Sequence, residues 1–344
     1  MAPSLSVILN FLHSQLFVTV PKPTSSFADR VVIVTGGNVG LGLETARTIA
    51  SLNAAKVIIT SRSTAKGEEA RASILSTTGR DPSAVEVWPL DLCSFDSVKA
   101  FAARARDLPR LDALICNAGV ATGTFTRAEG HETTITTNVI STFLLSLLLL
   151  PKLKETAQRT NTLAHLTIVS SEVHFFTTFA EARKHPADPV FELLRDKDKS
   201  DMPDRYNVSK LLEVFVVRAL AADPSLAGKP DSSSEPYPVV ITAPNPGFCA
   251  SALRKELYEG PFLMRWGVWL MELLLERTSE EGARNFVTCA SAGENYHGQY
   301  VSDGVPKEPA AFVTSEEGKK LQEKTWAELR DILEGIEPGV TKNF

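Results

Sequence analysis

A tyrosine and a lysine lie four residues apart in the segment YNVSK, as Tyr206 and Lys210. On a helix, side chains with this spacing project from one face, so the phenol and the ammonium would lie together. A free phenol has a pKa of about 10, and a neighbouring ammonium favours the phenolate and lowers that value. The pair predicts a general acid or base at Tyr206, although this spacing is common in sequences and is not specific alone.

Two other polar side chains could complete a catalytic group. Ser171 ends the segment IVSS, where it could hold a substrate oxygen beside the phenol. Asn138, in the segment TTNVIST, could bind a water or a backbone carbonyl that passes protons to Lys210. Side chains alternate along a strand, so only one of Ser170 and Ser171 would face such a site.

A glycine-rich segment, TGGNVGLG at residues 35–42, follows the apolar run VVIVT and precedes a helical pattern. Gly36 suits a tight turn, while Gly40 and Gly42 allow backbone and ligand to approach closely. The helix start would offer unpaired N–H groups and the positive end of its dipole to a pyrophosphate. The context predicts a phosphate cradle rather than a flexible turn, with Asn38 and Leu41 among its contacts.

The second strand indicates which cofactor would occupy the cradle. A cofactor without a 2'-phosphate is ordinarily met there by an acidic side chain on its ribose hydroxyl. This chain has Ser61 at that position, with Arg62 after it. Asn38 and Lys66 could assist Arg62, or either could be an ordinary surface residue. A guanidinium would pair with a 2'-phosphate, so we predict NADP(H) rather than NAD(H). The alternative is that Arg62 starts a surface helix and is solvated.

Two further segments end predicted strands and could contact the cofactor. Asp91 and Leu92 lie in PLDLCS, where the carboxylate could accept from an adenine amino group or cap the next helix. Asn117, Ala118 and Gly119 lie in CNAG, where small residues would let the cofactor lie against the backbone. Turn chemistry alone could also select these residue types.

These residues depend on a sheet that brings strand ends together. From residue 30 onward, short β-branched runs alternate with helical stretches, as in βαβ units. We predict an α/β fold, a doubly wound Rossmann sheet of seven parallel strands with helices on both faces. The predicted strands are residues 31–35, 56–60, 84–90, 111–117, 163–171, 237–243 and 298–302. The predicted helices are residues 41–52, 64–78, 94–107, 131–156, 206–222, 279–291 and 315–334.

The motifs together resemble one known family. TGGNVGLG, CNAG, Asn138, Ser171, YNVSK and NPGFCAS, in this order, resemble the short-chain dehydrogenase/reductase family over about residues 28–302. VIITSRSTAKGEEA, LDLCSFDSV, SSEVH and RTSEEGAR resemble its retinol-dehydrogenase-like branch. The lead-in QLFVTVPKPTSSFADRVVIVTG is similar to that of fungal secondary-metabolism members.

The resemblance implies roles for particular residues. It implies a catalytic tetrad of Asn138, Ser171, Tyr206 and Lys210, with Lys210 also holding the nicotinamide ribose. It implies nicotinamide contacts at Pro246, Gly247 and Phe248, and Ser251 where relatives use a threonine. The chain departs from the family in having Cys116 before NAG and in a long gap between Ser171 and Tyr206.

The substrate side is predicted to be apolar. We expect an N-terminal helical extension over residues 1–27 and one domain over 28–344, whose substrate lid spans about residues 250–278. The lid could line an apolar cleft, and core or dimer packing is the alternative for its side chains; they are Leu263, Met264, Trp266, Trp269, Leu270, Met271, Leu273 and Leu274. His174, Phe175, Phe176 and Phe179 could form the opposite wall, with no catalytic role for His174.

Composition limits the partners. The chain has 43% hydrophobic residues, 22% charged residues and a net charge of -5, so nucleic acid is not expected as a partner. Four scattered cysteines indicate a reduced, cytoplasmic protein without a structural metal.

An apolar segment at residues 5–20 predicts a helix folded onto the body, or alternatively a weak peripheral membrane anchor. FLLSLLLL, residues 143–150, predicts burial against the sheet or a partner subunit, and a homodimer or homotetramer is plausible.

These observations predict an NADP(H)-dependent oxidoreductase that acts on a small apolar ketone or secondary alcohol, with reduction as the expected direction. One alternative keeps the pocket for dehydration, isomerisation or cyclisation of a biosynthetic intermediate. Another is a non-catalytic NADP-binding module, which would have no need for the Tyr206–Lys210 pair.

Overall fold

The computed structural model describes residues 5–223, 239–250 and 262–343. In these residues one mixed sheet of eight strands forms the centre of the molecule, and a two-stranded hairpin lies apart from it. The strands are β1 (Val31–Val34), β2 (Lys56–Ser61), β3 (Val85–Pro89), β4 (Ala113–Cys116), β5 (Arg127–Ala128), β6 (His131–Glu132), β7 (Ala164–Ile168), β8 (Val239–Pro244), β9 (Gln299–Ser302) and β10 (Val305–Lys307).

The strand order creates a crevice at one edge of the sheet. The order is β10-β9-β8-β7-β4-β1-β2-β3, in which all neighbours are parallel except β9 and β10. The chain runs outward in one direction from β1 and in the other from β4. Ligands of doubly wound sheets bind at the carboxyl ends of strands beside this switch point. The loops after β1 and β4 therefore border the expected site.

The helices cover both faces of the sheet. Side chains alternate along β1, so Val31 and Ile33 join one apolar cluster while Val32 and Val34 join the other. The helices are α1 (Leu5–Phe17), α2 (Gly40–Ser51), α3 (Thr64–Thr78), α4 (Phe95–Arg106), α5 (Thr133–Thr160), α6 (Ala180–Lys184), α7 (Val190–Arg195), α8 (Met202–Ala221), α9 (Phe262–Leu275), α10 (Ser279–Cys289), α11 (Ala311–Thr314) and α12 (Glu316–Ile336).

Helix α5 is the apolar helix that the sequence predicts to be buried. Among the described residues it is the one helix long and apolar enough to cross a membrane, but 94% of its most apolar window is buried inside the protein. Leu144, Leu147 and Leu150 are fully buried in the cluster that α4, α8 and α12 share. Burial in the core accounts for its composition, and that prediction is confirmed.

The N-terminal helix folds onto the body, as the sequence predicts. The Ser14 hydroxyl donates to Asp303, 2.8 Å away, and the Arg277 guanidinium lies 2.9 Å from the same carboxylate. Arg277 also donates to the carbonyls of Ser14 and Val18. The outward side of α1 nevertheless stays apolar and exposed, with Leu5 at 71% and Phe17 at 76%.

The structure contains elements that the sequence does not predict, among them the hairpin of β5 and β6. The parallel sheet of seven strands is confirmed, but an eighth strand, β10, pairs antiparallel with β9 at the edge. The long connection at residues 172–205 contains α6, α7 and a short 3-10 helix, Glu172–Phe176. These added elements account for the long gap between Ser171 and Tyr206.

Candidate active site

The glycine-rich loop has the form of a phosphate cradle. Gly36 and Gly40 take left-handed backbone conformations, with φ of 64° and 57°. Nothing lies within 4 Å of the position that a Gly40 Cβ would occupy, and no side chain caps the start of α2 at Val39. Open space beside an uncapped helix N-terminus is what a pyrophosphate requires. Asn38 and Leu41, also predicted here, are partly buried in the same turn.

The loop after β4 holds this cradle in shape. The Asn117 side chain donates to the Thr35 carbonyl at 2.9 Å, and the Thr35 hydroxyl accepts from the amides of Asn117 and Ala118, also at 2.9 Å. A Cβ on Gly42 would stand 2.4 Å from the Asn117 amide nitrogen. Asn117 therefore fastens the two loops together, so its predicted contact with the cofactor is confined to atoms that these bonds leave free.

The end of β2 carries cations and no carboxylate. Ser61 is buried, and its hydroxyl donates to the Ser63 carbonyl at 2.9 Å. Arg62 and Lys66 are exposed, and in the described part of the chain neither forms an ion pair. Ser63, rather than Arg62, caps α3. Both cations are thus free to meet an anionic group at this edge.

Asp91 is not the helix cap that one interpretation of its sequence suggested. Ser94 caps α4, whereas one Asp91 oxygen accepts from the Cys93 amide at 3.0 Å. The Asp91 side chain is partly exposed at the end of β3, so its adenine contact stays a prediction. Leu92 is 6% exposed and packs in the core, so only its backbone could reach a cofactor.

Asn138 lies in a π-helical turn, Thr136–Ser141, within α5. Such turns often occur at functional sites because they rotate a side chain out of the regular helix. The Asn138 side-chain oxygen accepts from the backbone N–H of Val120 at 2.9 Å. Its side-chain nitrogen donates to the Val120 carbonyl at 2.9 Å and to the Ser209 hydroxyl at 3.0 Å. A Cβ on Gly119 would stand 3.1 Å from the Asn138 oxygen and 3.9 Å from the Lys210 ammonium. Three distant segments of sequence therefore meet here.

Ser171 faces the phenol of Tyr206, and Ser170 does not. The Ser170 hydroxyl is buried and donates to the Lys210 carbonyl at 3.0 Å. The Ser171 hydroxyl lies beside the Tyr206 phenol and acts to lower the pKa of that phenol, and both residues are partly exposed. The alternation along the strand thus supports the choice of Ser171.

Lys210 is buried behind Tyr206 on α8. Its ammonium lies 5.7 Å from the centre of the Tyr206 ring, donates to the Val169 carbonyl at 2.8 Å and pairs with Glu213 at 2.9 Å. Burial raises the pKa of Tyr206, and it outweighs the opposing effect of the Lys210 charge. The Lys210 charge lowers the pKa of Tyr206, as predicted, but the larger effect of burial keeps the phenol protonated at neutral pH. It can therefore donate a proton as a general acid.

The loop after β8 lies between the tetrad and the N-terminal helix. Asn245 accepts from the amides of Glu172 and Gly247, at 2.9 and 3.1 Å, so it ties this loop to the segment of Ser171. Pro246 is buried, and Gly247 has a φ of 80°. The Phe248 ring meets the ring of Phe11, from the N-terminal helix, at 6.4 Å in an edge arrangement. The predicted contact at Ser251 lies outside the described residues.

The predicted substrate wall needs correction. His174 is fully buried: its Nδ1 donates to the Ser171 carbonyl at 2.7 Å, and its Nε2 accepts from the Ala310 amide at 3.1 Å. Both nitrogens are occupied, so the predicted substrate contact at His174 is wrong. Phe179 is also fully buried in the core, whereas Phe176 is partly exposed and stays a prediction.

The predicted lid gives no closed apolar wall in the described residues. Trp266 lies on α9 and is 54% exposed, so its predicted substrate contact has no support from its position. Other α9 side chains are exposed as well, namely Trp269, Met271, Leu273 and Leu274. Part of the predicted lid, residues 251–261, lies outside the described residues.

Sequence reasoning missed several buried polar residues around the site. Arg205, directly before Tyr206, is fully buried and pairs with Glu181 at 3.1 Å, which fixes the start of α8. Asn245 and Glu213 were also missed. Glu213 stands three residues after Lys210, a spacing that could have indicated the contact.

Comparisons with known proteins agree with this geometry. Residues 30–175 match the family model for short chain dehydrogenases. The chain is 43% identical to a short chain dehydrogenase/reductase, dmxR8, from Cryptosporiopsis sp., over 98% of this chain and 100% of that protein. It is 41% identical to the short chain dehydrogenase atnD of Emericella nidulans, over 88% of this chain and 92% of that protein.

Solved structures share the fold. An NADPH-bound carbonyl reductase from chicken fatty liver superposes with a TM-score of 0.59 at 21% identity, covering 83% of this chain and 96% of its own. A short chain dehydrogenase from Shigella flexneri in complex with NADP gives a TM-score of 0.55 at 20% identity, covering 82% and 100%. Full-length relatives, the nucleotide crevice and the converging tetrad lead to one conclusion: the chain belongs to the short-chain dehydrogenase/reductase family, whose members are oxidoreductases that use a nicotinamide cofactor.

Proposed function

We propose that this protein is an NADP(H)-dependent carbonyl reductase that converts a small apolar ketone into a secondary alcohol in secondary metabolism. The observation that carries the proposal is the position of the Tyr206 phenol, beside Ser171 and with the Lys210 ammonium 5.7 Å from the centre of its ring. When bound, NADPH supplies the hydride. Tyr206 donates the proton to the substrate oxygen, and Ser171 holds that oxygen.

The preference for NADP(H) rests on charge. Arg62 and Lys66 are exposed and unpaired in the described chain, and Ser61 stands where an acidic residue would repel a 2'-phosphate. The carbonyl reductase from chicken fatty liver and the Shigella flexneri dehydrogenase, both similar in fold, are described with NADPH and NADP.

An apolar substrate is supported by the composition around the site. Phe176 lies shortly after Ser171 and is partly exposed, so it can present an apolar surface to a substrate. The place in secondary metabolism is supported by the resemblance to fungal members and by curated relatives from fungi.

The proposal is tested by following the nicotinamide absorbance of NADPH with a panel of aromatic and bicyclic ketones. We expect consumption of NADPH with at least one of them. Tyr206→Phe should lose about 100-fold or more in kcat while NADPH affinity stays within about threefold. A substrate transformed without loss of the absorbance would indicate dehydration, isomerisation or cyclisation instead. Full turnover by Tyr206→Phe would exclude the assigned proton donor.

A further inference from the structure

The Lys210 ammonium has an acidic partner that the tetrad does not include. Glu213 lies one turn further along α8, and its Oε1 accepts from the ammonium at 2.9 Å. The Val169 carbonyl, at 2.8 Å, holds the same ammonium from the end of the sheet. These two contacts fix where the nitrogen points.

Glu213 is buried in a place where a carboxylate is costly. It is 2% exposed, and its second oxygen has no hydrogen-bond partner among the described residues. The groups that face it are Lys210 and Tyr206 on its own helix and the buried Cys116 thiol on the neighbouring strand β4. A buried, half-satisfied carboxylate destabilises a fold unless its charge serves a partner.

The charges in this group depend on one another. Burial raises the pKa of Glu213 to about 7 even though the Lys210 charge opposes this effect. Burial alone would lower the pKa of Lys210, but the Glu213 carboxylate reverses this and raises that pKa above its usual value. The thiol of Cys116 has its pKa raised to about 12, chiefly by burial, so it stays neutral beside the pair.

We propose that Glu213 is a positioning residue for the reaction, whose carboxylate keeps the buried Lys210 ammonium charged and directed towards the cofactor and Tyr206 in alkaline solution. The inference rests on the proposed function, because it needs a bound NADP(H) and the contact with the nicotinamide ribose that the family resemblance implies for Lys210. Without the carboxylate, the buried amine would lose its proton at a lower pH.

The geometry also explains the choice of residue at this position. A carboxylate one turn after a lysine can reach its nitrogen without leaving the helix surface. A shorter side chain would not, and an apolar one would leave a buried ammonium with a single carbonyl partner. Neither Tyr206 nor Asn138 carries a carboxylate, so of these three residues Glu213 is the one that gives the Lys210 ammonium an acidic partner.

The test measures NADPH binding without any ketone, by the fluorescence of the reduced nicotinamide, between about pH 6.5 and about pH 9.5. Wild-type affinity is expected to change little over this range. Glu213→Gln should bind within about threefold of wild type at the acid end and about tenfold or more weakly at the alkaline end. The double variant Glu213→Gln/Lys210→Met should show no such pH dependence.

A matched control separates this role from a structural one. Glu181→Gln also removes a buried carboxylate that pairs with a cation of α8, Arg205, and it should leave the pH dependence of NADPH affinity unchanged. Glu213→Leu, which fills the same volume without polar atoms, replaces the amide variant if that variant does not fold. Wild-type pH dependence in a folded Glu213 variant would overturn the inference.

The NADPH-binding test gives its result whether or not a ketone substrate is found. If no ketone is reduced but the Glu213 variant loses alkaline affinity, the proposed reaction fails and the role of Glu213 stands. If ketones are reduced and the variant binds NADPH as wild type does at every pH, the reaction stands and the role of Glu213 fails.

Discussion

At the scale of single residues, the two cations after β2 are the features most easily tested. Arg62 lies on the turn between β2 and α3, and Lys66 lies in the first turn of α3. The shape of this region depends on other side chains, since Ser61 and Ser63 supply its hydrogen bonds. Removing either cation should therefore change the recognition of the cofactor without changing the fold.

Arg62→Ala is expected to weaken NADPH binding by about tenfold or more and NADH binding by less than about twofold. The reason is that a guanidinium paired with a phosphate is worth roughly 1.5–3 kcal/mol, and NADH has no 2'-phosphate. Fluorescence titrations with both cofactors measure the effect, and NADH serves as the internal control. Equal losses for the two cofactors would show that Arg62 does not recognise the phosphate.

His165 provides a prediction about pH. It is 2% exposed, its Nε2 donates to the Ala292 carbonyl at 2.9 Å, and burial lowers its pKa to about 4. The unfolded chain, with a histidine pKa of about 6.5, binds a proton that the folded chain rejects. Stability is therefore lost as the pH falls through 6.5 towards 4, by about 2 kcal/mol for this group at pH 5.

His165→Gln cannot titrate, so this part of the acid sensitivity should disappear. The free energy of unfolding, measured with denaturant at about pH 7 and about pH 5, should fall by about 2 kcal/mol less in the variant than in wild type. Other buried groups, such as His174 and Glu172, titrate in both proteins and cancel in the comparison. Parallel stability curves would contradict the lowered pKa.

At the scale of elements, the glycine loop and the loop after β4 act as one unit. A Cβ on Gly42 would stand 2.4 Å from both the Gly36 carbonyl oxygen and the Asn117 amide nitrogen. The first of these is backbone and cannot rotate away. The close approach, rather than chain flexibility, is why glycine is needed at this point.

Gly42→Ala is expected to cost roughly 1–3 kcal/mol of stability and to abolish most cofactor binding, because the two loops must separate. Gly335→Ala is the matched control: it lies in α12 with nothing within 4 Å of the added Cβ. It should be neutral or stabilise the protein by up to about 1 kcal/mol and leave binding unchanged. Denaturant unfolding and NADPH titration measure both effects. Normal binding by Gly42→Ala would contradict the packing argument.

Elements with strong local patterns could be predicted from the sequence, and those decided by packing could not. β1 and β2 are β-branched runs next to turn residues, so their positions are predicted well. β10 is three residues with a proline inside, and pairing with β9 alone makes it a strand. The short helices α6 and α7 likewise have too few residues for a periodic pattern.

The residues of the candidate site also divide into those that local spacing predicts and those that only packing reveals. Tyr206 and Lys210 are visible because their spacing on a helix is itself the signal. Glu213 has the same kind of spacing but reads as a solvated helix residue, and only the packing of α8 against the sheet shows that it is buried. His174 misled the prediction because nearness to Ser171 in sequence says nothing about which way the ring points.

At the scale of the whole molecule, the N-terminal helix is part of the structure that supports the site. A Cβ on Gly247 would stand 2.8 Å from the Gln15 side chain and 2.9 Å from Arg277, so α1 and Arg277 cover the back of the loop after β8. Weak membrane association and assembly into a dimer or tetramer stay predictions from the sequence. Either would cover the exposed apolar side of α1 and α9.

Arg277→Met should release this N-terminal helix. Arg277 is 5% exposed and joins Asp303 to the carbonyls of Ser14 and Val18, so its loss leaves a buried carboxylate without its guanidinium. Lys307 still pairs with Asp303 after this change, so we expect a loss of about 1–3 kcal/mol, less than for a buried charge left with no partner. We expect lower stability, faster proteolysis in the segment after α1 and weaker NADPH binding, because the loop at Gly247 loses its support.

An exposed ion pair provides the control for this change. Arg195 pairs with Glu192 at 2.9 Å on the surface of α7, where such pairs contribute about 0–1 kcal/mol. Arg195→Met should therefore change neither the proteolysis pattern nor the affinity for NADPH. If Arg277→Met lost stability but kept full NADPH affinity, α1 would support the fold without supporting the site. If neither changed, the link from Arg277 to the N-terminal helix would contribute nothing, and the helix would be held by its other contacts, such as the hydrogen bond from Ser14 to Asp303.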